Sequence, residues 1–163
     1  MFRQIGQANR AREMLEEINQ FAANRSWAYR DPPNLLALGR ALLLLGADPK
    51  LVLEKIFDPA KKADPGNRDV YLAPGELALN KHDYQLAAKV FQEGLKKFPE
   101  DPDLLFGLAK SFSTSEREVM LRALDQVLKI NSNHVPSLLL LADHLVDAEE
   151  YGAAEKKIGR AHV

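Results

Sequence analysis

The chain has 163 residues, enough to bury a core or to stack four to five short repeats, and a formal charge of −1 with acids and bases interspersed. That balance removes the electrostatic case for nucleic acid or an anionic membrane as a partner. No cysteine is present, which excludes a disulfide framework and a thiolate metal site; 26 leucines and 21 alanines against 14 valine, isoleucine and threonine residues together favour helices over strands.

The N-terminus, MFRQIGQANRARE, lacks the apolar core of a signal peptide. Ile5, Ala8, Ala11, Leu15, Ile18 and Ala22 recur at spacings of three and four and predict one helix over residues 2 to about 23. Asp31-Pro32-Pro33 closes the stretch that follows, and Trp27 within it reads as an aromatic packed under the next element rather than a ligand platform. Residues 1–31 are therefore expected to be a capping helix and linker. Leu35 to Ala47 is strongly apolar, but it contains Arg40 and is far shorter than the roughly 20 residues a membrane span needs.

From residue 32 onwards a pattern repeats. Phe57 and Phe91 are 34 positions apart, as are Pro65 and Pro99, and Gly75 and Ala109. Tyr84 and Tyr151 are 67 apart, and so are Ala87 and Ala154. Aromatic, small and breaker residues recurring in phase mark a stacked helical repeat. The copies run over about 32–67, 68–101, 102–134 and 135–163.

In the first copy, Gly46-Ala47-Asp48 makes the turn, and Asp48-Pro49 is an N-cap followed by a proline at the first helical position. This copy is two residues long, and Pro59 inside its second helix predicts a bend or break near Phe57 to Pro59 that absorbs them. The second copy carries Pro74 well inside its first helix, where a bend or truncation is expected. The third has a turn one residue short, and Ser115-Glu116-Arg117-Glu118 fits a capping box that starts its second helix at Glu116. Leu105, Leu108, Ala109, Phe112, Leu124 and Val127 are its inward positions. In the fourth, Ala154, Ile158 and Ala161 should face inward while the outer edge of the helix stays apolar and uncovered, so the chain is expected to self-associate through this last repeat or to continue into further helices.

The motif in RDVYLAPGELALNKHDYQLAAKVFQEGLKKFPED, with Tyr71, Gly75, Tyr84, Ala87, Phe91, Gly94 and Pro99 in phase, resembles the tetratricopeptide repeat, with Pro74 where that family usually has leucine. The resemblance covers about residues 32–163 and implies an all-α superhelix, a solenoid of about four helix-turn-helix repeats behind an N-terminal helix. In that family Gly39, Gly75, Ala109 and Ala142 would lie where the two helices of a repeat cross most closely. The first helix of each repeat would line a concave groove. Carried over residue by residue, the lining includes Arg40 and Leu43 in the first repeat and Leu72, Glu76 and Leu79 in the second. It continues with Phe106 and Lys110 in the third and Leu139 and Asp143 in the fourth. The lysines and asparagines with which chaperone-type members grip a terminal carboxylate are replaced by leucines and Phe106.

The resemblance implies a non-catalytic scaffold for protein–protein interaction, binding a peptide or partner segment that is amphipathic or basic, because with Asp69, Asp103 and Asp147 the lining holds five acids against the two bases Arg40 and Lys110. A competing reading covers part of this leucine lining with the N-terminal helix. Another makes the chain a regulatory or assembly segment of a larger bacterial enzyme, such as one with a metallopeptidase-like domain. No cofactor is expected. His82, His134, His144 and His162 show no metal-ligand spacing and read as solvated or packed, and Asp143-His144 has no serine or cysteine nucleophile beside it.

Overall fold

A computed structural model describes residues 8–24 and 31–161; the expectations for residues 2–7, Trp27 and His162 lie outside them. Every regular element among the described residues is helical. In order they are α1 (Ala8–Asn24), α2 (Pro32–Leu45), α3 (Pro49–Val52), a π-helical turn (Leu53–Phe57), α4 (Asp58–Ala63), α5 (Asp69–Asn80) and α6 (Tyr84–Leu95). Then follow α7 (Pro102–Ser111), α8 (Arg117–Ile130), α9 (Val135–Asp147) and α10 (Tyr151–Ala161). The chain divides into two compact units, Met1–Pro74 and Gly75–Val163. The architecture is an all-α helical-repeat solenoid.

In the first unit α1 packs beside α2, and α2 packs on the π-helical turn and α4. Leu36, Leu42, Val52, Phe57, Ala60, Val70 and Tyr71 form its buried apolar core. Tyr71 is 1% exposed, so its hydroxyl needs a partner; it donates to the Pro65 carbonyl at 3.1 Å. In the second unit α6 packs on α7, α7 on α8 and α9, and α9 on α10. Its core includes Ala87, Phe91, Leu104, Leu105, Met120, Leu124, Val127, Leu138 and Ala154.

One device ends three of the helices. Ala47 N–H donates to the Leu42 carbonyl, Asp83 N–H to that of Ala78, and Glu150 N–H to that of Leu145, each reaching back five residues. The residue before each donor sits in the left-handed region: Gly46 at φ 93°, His82 at φ 59° and Glu149 at φ 61°. This is the Schellman termination, which satisfies carbonyls at a helix end. Gly39, Gly75 and Ala142 each lie seven positions before that left-handed residue. The third copy, whose turn is one residue short, instead closes α7 through Phe112–Ser115, with Ser115 and Glu116 N–H groups both on the Phe112 carbonyl.

The two extra residues of the first copy are not absorbed together. Gly46 precedes the N-cap Asp48 by two positions, whereas His82 directly precedes the N-cap Asp83, which places one extra residue in the turn. Asp48 to Phe57 is nine positions and Asp83 to Phe91 eight, which places the other in the helix. There the backbone widens into the π-helical turn Leu53–Phe57, and Asp58 N–H bonds the Leu53 carbonyl. Pro59 follows directly and the helix continues to Ala63. A π-turn accommodates one inserted residue and shifts the hydrogen-bond register where a proline lacks its donor. The expected break is thus replaced by an insertion inside a continuing helix.

Two further expectations change. Helix α5 runs unbroken from Asp69 to Asn80 with buried Pro74 inside it, so the proline does not truncate it. The capping box does not form: Glu116, not Ser115, is the N-cap of α8, and no side chain caps it.

Candidate interaction surface

The position of the surface follows from how the helix pairs are packed. A Cβ built on Gly75 would lie 2.5 Å from Cζ of Phe91, and one on Gly107 would meet the same ring tip. Gly39 stands in the same relation to Phe57 in the first unit. The third copy uses a smaller partner: Ala109, fully buried, belongs to one apolar cluster with Met120, Ala123 and Leu124. Glycine opposite phenylalanine and alanine opposite leucine keep the sum of volumes similar, as close-packed interiors require. The small residues thereby fix which face of α5 and α7 is turned toward the second helices.

On α7, Asp103, Phe106 and Lys110 share a face at spacings of three and four; on α9, Leu139, Asp143 and Val146 do the same. Leu139 and Val146 are 42% and 44% exposed, and Lys110 and Asp143 are exposed. Phe106 is half-buried. It packs against the Ala109–Leu124 cluster and its ring centroid is 5.5 Å from that of His134. Because α7 and α9 pack together, these two faces are neighbours in one unit.

The other positions of the expected lining divide. Glu76 is exposed on α5, and Arg40 is exposed and Leu43 half-buried on α2. Leu72 and Leu79 are 7% and 9% exposed. This corrects their expected role as open lining: both are core residues, because α5 carries apolar side chains around most of its circumference. In the fourth copy, Ala154 is buried as expected, but Ile158 is 39% exposed and Tyr151 63%, so Ile158 does not face inward.

A polar cluster holds the upper part of this surface. His134 is the N-cap of α9: its Nδ1 accepts the Ser137 N–H at 3.3 Å and lies 2.8 Å from Ser137 Oγ. With Nδ1 accepting, the ring proton sits on Nε2 and faces Asp103 Oδ1 at 3.3 Å. His134 therefore joins the start of α9 to α7 beside Phe106. The sequence offers one signal for it, the Pro136 that marks a helix start two residues later. Serine, histidine and aspartate also make up a hydrolytic triad, but Ser137 is 0% exposed, so its hydroxyl meets no substrate here. Among the described residues no three histidine, aspartate or glutamate side chains converge on a metal-sized site, and no described helix is long and apolar enough to cross a membrane.

The paired helices, their small-residue crossings and their repeated terminations define a tetratricopeptide-like fold. No protein-family model matches the chain and no curated protein does. Among solved structures it is similar to MamA, with 15% identity and a TM-score of 0.68 over 98% of this chain and 90% of that one. MamA 41-end from Desulfovibrio magneticus RS-1 gives 20% identity and a TM-score of 0.68 over 99% and 87%. YrrB, a TPR protein with an unusual peptide-binding site, gives 17% identity and 0.63 over 90% and 74%. At these identities the likeness is one of fold.

Proposed function

We propose that this protein is a non-catalytic scaffold that binds an amphipathic, basic segment of a partner protein on the outward face of α7 and α9. The observation that carries the reading is the set of exposed apolar side chains there, Leu139 and Val146 with half-buried Phe106, bordered by more acids than bases. Asp103, Asp143 and Asp147 stand on these two helices against Lys110, and Glu76 on α5 adds to the acidic side. Apolar contacts supply affinity to a helical or extended segment, and the acids steer a basic one. The peptide-binding site of YrrB, a protein of similar fold, supports the same use of the scaffold. Arg40 and Leu43 belong to the proposal as the α2 positions of the resemblance. So does the division into a capping segment, 1–31, and four repeats.

The test is titration of the full chain with a labelled amphipathic peptide carrying leucines on one helical face and lysines on the other. Leu139→Glu should weaken binding about tenfold or more, as loss of a central apolar contact does. Asp143→Lys should slow association and flatten its salt dependence. Changes at Lys89 and Gln92, exposed on α6, should leave binding as it was. If those α6 changes abolish binding and the α9 changes do not, the assignment is wrong.

A further inference from the structure

We draw no further inference here: the strongest candidate, the surface patch of the first unit where α2 turns into α3 and Leu44 and Leu51 are 73% and 55% exposed, carries none because nothing in the structure shows what covers it.

Discussion

The ring tip of Phe91 on α6 fills the space that a side chain on Gly107 of α7 would need. Gly75 of α5 meets the same ring, so one aromatic holds three helices of the second unit in register. Gly107→Ala should therefore destabilise the fold by about 1–3 kcal/mol, the usual cost of overpacking. Phe91→Leu in the same chain should recover much of that loss, since leucine is what the third copy sets against an alanine. Urea unfolding of both single variants and the double one gives the coupling; strict additivity would show that the two sites do not share this space.

Glu149 adopts a conformation that glycine holds more easily, and its side chain is exposed. Glu149→Gly should raise the melting temperature by about 2–4 °C, for a gain of roughly 1 kcal/mol. Gly46→Ala, at the equivalent termination of α2, should lower it by a similar amount. Thermal scans of the pair check the sign in both directions.

Pro74 removes the donor that would bond the Val70 carbonyl in α5, at a cost of about 3 kcal/mol for an interior proline. Its ring is buried, and shortening it to alanine forfeits two methylene groups, roughly 1.5 kcal/mol. Regaining the helical hydrogen bond outweighs the packing that is lost. Pro74→Ala should therefore stabilise the chain by about 1 kcal/mol and raise its melting temperature by a few degrees. A lower melting point would show that the helix depends on the ring's packing.

His134→Ala takes the acceptor from the Ser137 N–H and the neighbour from Phe106, and should cost about 1–3 kcal/mol. His134→Asn keeps a capping oxygen and should recover about 1 kcal/mol of it, though not the reach to Asp103. Equal losses in the two variants, measured by urea unfolding, would mean that the cap contributes nothing.

By itself the sequence determined the helical class, the repeat period and the Asp48 cap, and it marked Gly39, Gly75 and Ala109 as the small residues of the crossings. These are local or periodic properties: a small residue every repeat, a short acid before a proline. Tertiary structure alone decided how two extra residues divide between a turn and a π-helical turn, because either place satisfies the pattern. It also decided that Glu116 rather than Ser115 starts α8, since the shortened turn leaves the Phe112 carbonyl to both of their N–H groups. Above all it separated leucines that look alike in the chain. Leu72 and Leu79 are enclosed while Leu139 stays open, and Phe91 is covered while Ile158 is not. Periodicity says which face of a helix a residue occupies; whether that face is buried depends on the helix that lies over it, and that neighbour comes from elsewhere in the chain.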